Sequence, residues 1–369
     1  MRISGRLWSV RKMADVIDLV KKLVSIPSEF GNEKEIAQFL ASMLKGEVTL
    51  QPVEGAGPNV VAKNGPKKRG PRILLVGHMD TVPAPSEYGR EPCKPYVRDG
   101  RLYGLGACDM KAGLAIMATV YNEFADSDLN LTFLGTSDEE GNCRGVFQFL
   151  KDSGEYDLAL VAEPTNMRLM LGCRGRYVIE AEIIGTAAHG ARPEKGVNAI
   201  SRAARVILAL ENIVPRSHEI LGPGSSCVLK IWGGGDGLSV PDRCLVRLDR
   251  HVVPGDTIST VMAEVKRPLA CLQTGAEIKL RWMPRPTPFL EPYIFEKRGH
   301  IGKFSKAAGD PEVIYGKSVG DYNALATRFP TAVYGPTGDH WHAIGEYVEV
   351  ESVGKCLEAY RAFLRGLSG

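Results

Sequence analysis

The stretch "ILLVGHMDTVPAP", residues Ile73 to Pro85, decides how the rest of the sequence is interpreted. Its first four residues are apolar and predict a strand buried on both faces, which is typical of a parallel sheet. Gly77, His78 and Asp80 follow, although strands do not favour these residue types. A buried strand that ends in polar side chains indicates a site at the carboxyl edge of a sheet.

Three further stretches carry acidic residues at the same kind of position. "YGLGACDMKAG" places Asp109 just before a predicted helix, and "LTFLGTSDEEGN" ends a strand in Asp138, Glu139 and Glu140. "LALVAEPT" ends another strand in Glu163. Open α/β sheets bind ligands at the carboxyl ends of their strands, so we expect these carboxylates and the histidine of the first strand to converge.

Converging carboxylates repel one another, and several of them would hold protons unless a positive charge lay among them. A metal ion supplies that charge. Imidazole with carboxylates, and without cysteine, is a ligand set that suits Zn²⁺ or a comparable divalent ion. "GPTGDHWHAIGEYVEV" adds His340 and His342 in a loop after a predicted strand, and a second histidine would fit a pair of metal ions.

Each motif alone also has an ordinary explanation. A histidine and an aspartate at a strand end often belong to a turn, "DEEG" is often a solvated turn, and Glu163 before Pro164 can simply end a strand. "GLGACD" resembles the start of a dinucleotide loop, but Asp109 takes its sixth position and would repel a pyrophosphate. The joint occurrence of the motifs at strand ends favours a metal site.

Composition and charge exclude several classes of protein. The formal net charge is +3 and no basic run exceeds "KKR", so we predict neither a nucleic-acid nor a membrane partner. The eight cysteines stand singly, without a CxxC pair, and predict a reducing cytoplasm. No apolar run approaches the roughly 20 residues of a membrane span, and no apolar signal region follows "MRISGRLWSVRK". Met13 directly precedes a predicted helix, so we expect residues 1–12 to be a disordered or spurious extension.

Helices and strands alternate in the first part of the chain, which is typical of an α/β sheet. We predict helices at residues 14–25 and Ala112–Phe124, and a further helix that is capped by Asn32 with Glu35 and ends near Leu44. The predicted strands are Asn59–Lys63, Ile73–Val76, Leu129–Leu134 and Leu158–Val161. From about Arg176 the order becomes β-α-β-β-α-β, the ferredoxin-like arrangement. A helix at 293–308, the strand "TAVYG" and a helix at 351–366 then resume the first pattern. We therefore predict one domain from residues 1–175 and 284–369, with an α+β domain inserted at 176–283.

Six motifs in order resemble those of the dinuclear zinc amidohydrolases and peptidases. They are "GHMDTVP", "LYGLGACDMKAGLA", "TSDEEGN", "VAEPT", "GTAAHGARPEKGVNAI" and "HWHAIGEYV". The family includes acetylornithine deacetylase, succinyl-diaminopimelate desuccinylase, aminoacylase and glutamate carboxypeptidase, and the resemblance runs from about Leu23 to Val350. It implies an α/β fold, in which a mixed-sheet zinc-peptidase-like catalytic domain carries an inserted ferredoxin-like dimerisation or lid domain.

The resemblance also implies the metal ligands, for two Zn²⁺ per subunit with Co²⁺ or Mn²⁺ as possible replacements. His78, the bridging Asp109 and Glu163 would hold one ion, and Glu140 and His342 would complete the other site with Asp109. His340 could replace His342, but only His342 has the "H-x-x-x-E-Y-V" spacing to Glu346.

The same resemblance implies roles around the metals. Glu139 would be the general base, and Asp80 would accept a hydrogen bond from His78 and fix its tautomer. The family also has a cis peptide after the bridging aspartate, here between Asp109 and Met110.

Further residues are implied on the substrate side. His189 would stabilise the oxyanion from the inserted domain of a partner subunit, which would require a homodimer; its ordinary alternative is a surface histidine. Arg250, in "DRHVVPGD", could hold a substrate carboxylate or be an ordinary strand arginine. Asp321 takes the position of a substrate-side acid. Ser239 stands where many relatives carry asparagine, so it either substitutes or that contact is lost.

The function implied is hydrolysis of an amide bond in N-acyl amino acids by a metal-activated water, of the deacetylase or desuccinylase type found in arginine or lysine biosynthesis. A dipeptidase or metallocarboxypeptidase on the same site is the close alternative. A basic substrate would need an acid such as Asp321, whereas a succinyl or glutamyl group would need Arg174, Arg176 or Arg192. A non-catalytic binding relative is the remote alternative, and it would be expected to lose the base or a ligand.

Overall fold

The computed structural model describes residues 15–65, 70–88 and 91–368, so the expected extension at residues 1–12 lies outside the described residues. The chain divides into two compact units. The first unit comprises the chain up to Gly172, the segment Ile294–Tyr315 and the chain from Gly320, and the inserted unit comprises Cys173–Tyr293 and Gly316–Val319.

The elements are numbered in chain order. The helices are α1 (15–24), α2 (Lys34–Met43), α3 (Ala112–Phe124), α4 (Arg144–Asp152), α5 (Ala199–Leu210), α6 (Ile258–Ala270), α7 (Gly299–Ala307), α8 (Asp321–Ala326) and α9 (Val350–Leu367), with a kinked turn at Ala107–Lys111 and a 3₁₀-helix at Pro193–Lys195.

The strands are β1 (Glu47–Gln51), β2 (Asn59–Lys63), β3 (Arg72–His78), β4 (Tyr96–Arg98), β5 (Arg101–Tyr103), β6 (Asn130–Thr136), β7 (Leu158–Val161), β8 (Leu169–Cys173), β9 (Gly175–Ile184), β10 (Ser217–His218), β11 (Gly222–Pro223), β12 (Ser225–Gly233), β13 (Arg243–Val252), β14 (Glu277–Trp282), β15 (Tyr293–Ile294), β16 (Val313–Gly316), β17 (Thr331–Val333), β18 (Gly338–Asp339) and β19 (Tyr347–Glu349).

A mixed sheet forms the centre of the first unit. Its order is β1-β2-β6-β3-β7-β17-β8-β15, and β16 pairs with β8. β3 is parallel to both β6 and β7, whereas β2 is antiparallel to β6. Every residue of β3 after Arg72 is buried, and α3, most of which is buried, packs against β3, β6 and α9. The three parallel strands therefore end at one edge of a rigid, covered sheet.

The inserted unit is a four-stranded antiparallel sheet with the order β12-β13-β9-β14. With α5 after β9 and α6 after β13, this is the predicted ferredoxin-like order, and both helices bury apolar residues such as Val206 and Val265 in one core. We predicted domain boundaries at 176 and 283. The inserted unit is longer because residues after 283 stay bound to β9: Leu290 O accepts from Arg176 N at 2.8 Å, and Tyr177 donates to Glu291.

Two local predictions are wrong. Asn32 and Glu35 do not cap α2, because Glu33 takes the N-cap position and its side chain makes no cap bond to the helix. The helix predicted at 293–308 begins only at Gly299, because Tyr293–Ile294 pairs at the edge of the mixed sheet as β15. Among the described helices, none combines the length and apolar character that crossing a bilayer needs.

Candidate metal centre

The parallel strands of the first unit bring the polar strand ends together. β3 ends at His78, β6 ends at Thr136 just before Glu139 and Glu140, and β7 ends two residues before Glu163. These strands are neighbours in the order β6-β3-β7, so their carboxyl ends meet at one edge. The predicted convergence of these strand ends is therefore present at this edge.

His78, Asp109 and Glu163 form one group of potential ligand atoms. His78 Nε2 lies 3.2 Å from Asp109 Oδ1 and 3.6 Å from Glu163 Oε1. The His78 side chain is 1% exposed, whereas Asp109 and Glu163 are 16% and 13% exposed. The histidine is therefore fixed at the base of the site with the carboxylates around it.

Asp109, Glu140 and His342 form a second group. His342 Nε2 lies 2.8 Å from Glu140 Oε1 and 3.3 Å from Asp109 Oδ2. Asp109 thus directs one oxygen to each group, which is the arrangement that a bridging carboxylate needs. His342 is half exposed and gives this side of the site access to solvent. His340 is exposed and belongs to no such group among the described residues.

Glu139 lies with His78 and Glu140 in a third group. Its Oε1 lies so close to Gly320 that a Cβ at Gly320 would overlap it, and the missing side chain there makes room for this carboxylate. The peptide between Asp109 and Met110 is cis, as the resemblance implied.

Asp80 differs in detail from the prediction. Its backbone oxygen, not its carboxylate, lies 3.0 Å from His78 Nδ1; the nearest carboxylate oxygen is 3.6 Å away. A proton on Nδ1 donated to this oxygen leaves the lone pair of Nε2 for a metal ion. The fully buried carboxylate accepts instead from the backbone N–H groups of Glu139 and Glu140, at 3.2 and 2.9 Å. Asp80 therefore fixes both the histidine and the acidic loop.

The ionisation of the group indicates a missing positive charge. Burial raises the pKa of the Glu163 carboxyl well above its ordinary value, and it does the same for Glu139. Hydrogen bonds to Asp109 and Glu140 raise the pKa of His342 to about 10. Clustered carboxylates, two of which have raised pKa values, beside two histidines are a ligand set that a divalent ion would satisfy. The residues present therefore fit a metal centre.

Two buried carboxylates near the site had no predicted role. Glu33 is fully buried and accepts three backbone N–H groups, from Gly31 at 2.7 Å, Gly57 at 2.7 Å and Asp138 at 3.0 Å. Glu346 accepts three more, from the segment that carries Asp109. In the sequence, Glu346 only marks the spacing from His342, because a side chain that accepts backbone N–H groups from distant segments leaves no local pattern.

Three predicted substrate-side residues lie in the inserted unit. His189 is exposed, and its backbone forms an isolated bridge with Ser239, so these two are neighbours. Arg250 is fully buried and donates to Glu264 at 2.8 Å from Nη2. The fourth, Asp321, lies in the first unit at the start of α8; it is 2% exposed, and burial raises the pKa of its carboxyl to about 6. The substrate roles of all four stay predictions.

Curated relatives match almost the whole length of the chain. Succinyl-diaminopimelate desuccinylase of Sulfurovum sp. (strain NBC37-1) is 27% identical over 367 residues, covering 95% of this chain and 98% of the relative. The enzyme of the same name from Bordetella avium (strain 197N) is 28% identical over 382 residues, covering 96% and 99%.

Solved structures show the same fold. A tripeptidase from Staphylococcus aureus subsp. aureus mu50 has a TM-score of 0.77 at 20% identity, covering 96% of this chain and 98% of its own. An M20 family metallo-carboxypeptidase from Sulfolobus solfataricus has a TM-score of 0.76 at 16% identity, covering 96% and 99%. The sequence model described as peptidase family M20/M25/M40 matches residues 74–366, so the chain belongs to this family of metal-dependent hydrolases.

Proposed function

We propose that this enzyme hydrolyses the amide bond of N-acyl amino acids, as a deacetylase or desuccinylase, with Glu139 as general base. The observation that carries the proposal is the position of Asp109, whose two oxygens face two different groups of ligands, 3.2 Å from His78 and 3.3 Å from His342. Two metal sites that share a carboxylate, beside the partly buried Glu139, can activate a water molecule for attack on an amide.

Two divalent ions, with Zn²⁺ the proposed pair and Co²⁺ or Mn²⁺ as replacements, would polarise the substrate carbonyl and make a water molecule acidic near neutral pH. Glu139 takes the proton of the attacking water and delivers it to the leaving amine. Asp80 holds the backbone of Glu139 and Glu140, so the base and its neighbouring ligand keep a fixed spacing. His78 is held by the backbone oxygen of Asp80.

The acyl amino acid is proposed as substrate because relatives aligned over almost their whole length are named succinyl-diaminopimelate desuccinylase. Peptide hydrolysis on the same site is the second candidate, and it is favoured by the structural neighbours named tripeptidase and metallo-carboxypeptidase. Both reactions use the same metals and base, so only the substrate pocket distinguishes them. We also propose that the substrate is a small molecule and that the enzyme is located in the cytoplasm.

The homodimer belongs to the same proposal. β12 lies at one edge of the inserted sheet and exposes Leu229, Ile231 and Trp232. An exposed apolar edge strand is a surface on which a second strand pairs. We propose that a second copy of the chain pairs here and that His189 acts in the partner's site, with Ser239 beside it.

Arg250 and Asp321 complete the proposed substrate side. Two N–H groups of Arg250, Nε and Nη1, have no acceptor among the described residues, and this supports a carboxylate as a further partner of its guanidinium. Asp321 lies on the same side of the first unit as Glu139, since Gly320 contacts that base and directly precedes Asp321. We propose that it acts on the substrate amine.

The test is hydrolysis of a small panel after chelation and reconstitution with Zn²⁺ or Co²⁺. The panel contains N-acetylornithine, N-succinyl-diaminopimelate, N-acetyl-lysine, N-acetylmethionine and several dipeptides. We expect strong turnover of one acyl amino acid, lost on chelation and restored by metal. Turnover of dipeptides alone would replace the deacylase proposal by the peptidase candidate, and no turnover of any compound by the metal-loaded protein would contradict both.

A further inference from the structure

Glu346 is a buried carboxylate for which the proposed reaction has no use. Its side chain is 1% exposed. Oε1 accepts hydrogen bonds from Cys108 N and Asp109 N, both at 2.9 Å, and Oε2 accepts from Gly106 N at 2.8 Å. Both oxygens of the side chain are therefore bonded to one short segment of backbone.

The segment from Gly106 to Asp109 is shaped to receive a carboxylate. Gly106 has a φ of 72°, a conformation that glycine adopts at little cost. A Cβ at this position would also overlap the Thr81 methyl group. The turn aims three of its N–H groups, those of Gly106, Cys108 and Asp109, at the two oxygens of one carboxylate, which resembles a backbone anion nest. Here the anion is a side chain of the same protein.

The contact joins two distant segments, each of which carries a predicted metal ligand. Asp109 belongs to the first segment, and His342 lies four residues before Glu346 in the second, although Asp109 and Glu346 are 237 residues apart in the chain. Backbone pairing supports the junction, since Tyr347 pairs with Tyr103 and Gly104 N donates to Glu346 O at 3.2 Å. Where these segments meet, His342 Nε2 lies 3.3 Å from Asp109 Oδ2.

We infer that Glu346 is a positioning residue that sets the spacing between Asp109 and His342, and thereby the affinity of the site formed by Asp109, Glu140 and His342 for its metal ion. The inference rests on the proposed two-metal function. The other site depends on Glu346 only through Asp109, since neither His78 nor Glu163 lies on a segment that Glu346 holds. The two metal sites should therefore respond differently to a change at this residue.

The substitution Glu346→Gln tests this. The amide keeps the size of the side chain but replaces one oxygen by an NH₂ group, so at least one of the three N–H groups loses its acceptor. Titration of the chelated full chain with Co²⁺, followed by absorbance, should give two equivalents in the wild type. In the variant, one equivalent should bind about 10- to 100-fold more weakly, the size of effect expected for an outer partner of a ligand, while the other changes little.

Glu349→Gln is the matched control, because it removes a carboxylate only three residues further along the chain, at the end of β19, and Glu349 makes no side-chain hydrogen bond to residues 106–109 in the described part of the chain. It should bind both equivalents as the wild type does. Equal weakening of both equivalents in Glu346→Gln, or no weakening in a folded variant, would overturn the inference. If Glu346→Gln does not fold, Glu346→Asp keeps the charge on a shorter side chain and should show the same selective loss.

A second measurement separates this inference from the proposed function. Hydrogen exchange of the Gly106, Cys108 and Asp109 amides in the metal-free protein reports the positioning itself. We expect exchange at least about tenfold faster in Glu346→Gln, with exchange in the core of β3 unchanged. Unchanged protection of the three amides would contradict the role of Glu346 whatever metal the wild type binds. A wild type that binds fewer than two Co²⁺ but shows the faster exchange in the variant would contradict only the two-metal proposal.

Discussion

Glu139 is held in place more firmly than a solvent-exposed turn would allow. Its backbone N–H is bound by the Asp80 carboxylate at 3.2 Å, and its side chain fills the space left by the absent side chain of Gly320. Burial raises the pKa of its carboxyl well above the ordinary value, so a cation nearby is needed for it to act as a base. This environment is compatible with the role of base that we propose for it.

Substitution of Glu139 by Gln should lower kcat by about 10²- to 10⁴-fold, the usual contribution of a general base. Metal content should stay near that of the wild type, because the five proposed ligands are intact. The measurement is steady-state turnover of the best panel substrate together with metal analysis. Glu140→Gln is the contrast, since it should lose metal as well as activity; near-normal turnover in Glu139→Gln would refute its role as base.

At the scale of elements, the anchoring of the acidic loop depends on Glu33. This residue stands before α2, and its carboxylate accepts the N–H groups of Gly31, Gly57 and Asp138, the residue just before the proposed base. Loss of the acceptor leaves buried N–H groups unpaired, which costs about 1–3 kcal/mol for each group that cannot reach water.

Glu33→Ala should therefore lower the free energy of unfolding by about 3 kcal/mol, measured by urea denaturation. Glu35→Ala, on the exposed face of the first turn of α2, should change it by less than about 0.5 kcal/mol. A variant at Glu33 as stable as the one at Glu35 would show that the three N–H groups find other partners.

Local sequence pattern predicted much of the fold, for reasons visible at individual elements. β2, β7 and α3 have the predicted bounds, because a buried strand or helix reads as an apolar run between turn residues. The same pattern wrongly predicted a single helix at 293–308. Tyr293–Ile294 is instead an edge strand, and a strand of two residues is too short to show a periodicity. A strand that is defined only by its pairing partner cannot be predicted from its own sequence.

The residues of the candidate site were likewise only partly predictable from the sequence. The five proposed ligands were predictable because each stands near the end of a strand or in a recurring motif. Glu33 and Glu346 were not, since their partners are backbone N–H groups from distant segments, and any backbone has such groups. The contact of the buried Arg250 with Glu264 could not be predicted from the sequence either. A strand pattern indicates which face a residue takes but not which charged side chain lies opposite.

On the inserted sheet, Glu180 forms a charged cluster with two arginines. This nearly buried carboxylate on β9 lies between its cross-strand neighbours, with Arg247 at 2.8 Å and Arg281 at 2.8 Å. Burial opposes ionisation, but the hydrogen bonds from both arginines hold the pKa of Glu180 below its ordinary value. A carboxyl with a lower pKa in the folded state stabilises the fold above its unfolded pKa, and this stabilisation is lost as the pH falls through the folded value.

Glu180→Gln should therefore cost about 1 kcal/mol at pH 7, a modest value because Arg281 is 54% exposed and solvent screens the pair. The difference from the wild type should shrink as the pH falls below about 4, since the unfolded pKa of a glutamate is about 4.3. Urea denaturation between pH 3 and 7 measures it. Glu182→Gln, which has the more exposed Arg243 as partner, should show a smaller effect; a pH-independent difference at Glu180 would exclude ionisation as its cause.

At the scale of the whole molecule, metal binding should raise thermal stability, because it relieves repulsion among clustered carboxylates and binds only the folded chain. An ion present at 1,000 times its dissociation constant stabilises by about 4 kcal/mol, which for a chain of this size corresponds to a rise in Tm of about 5 °C. Calorimetry of chelated and Zn²⁺-loaded protein measures it. His342→Ala should lose part of the shift and His340→Ala should keep all of it; the reverse would exchange their assignments.

The proposed dimer makes a prediction that a single chain cannot satisfy. If His189 acts in the partner's site, His189→Ala and Glu139→Ala are each inactive, but a hybrid dimer of the two contains one site with an intact base and an intact histidine. Random reassociation would make half the dimers hybrids with one of two sites restored, so the mixture should regain about a quarter of wild-type activity.

The control for this mixing experiment is Ile231→Lys, placed in both inactive chains. A charge at the exposed edge of β12 should prevent pairing of a second strand and so abolish the recovery, and sedimentation should then report monomers. No recovery from variants shown to form hybrid dimers would mean that His189 acts within its own subunit or not at all. If activity is still regained when both inactive chains carry Ile231→Lys and are monomeric, His189 does not act across a β12 interface. A wild type that is fully active as a monomer would show that no partner is needed.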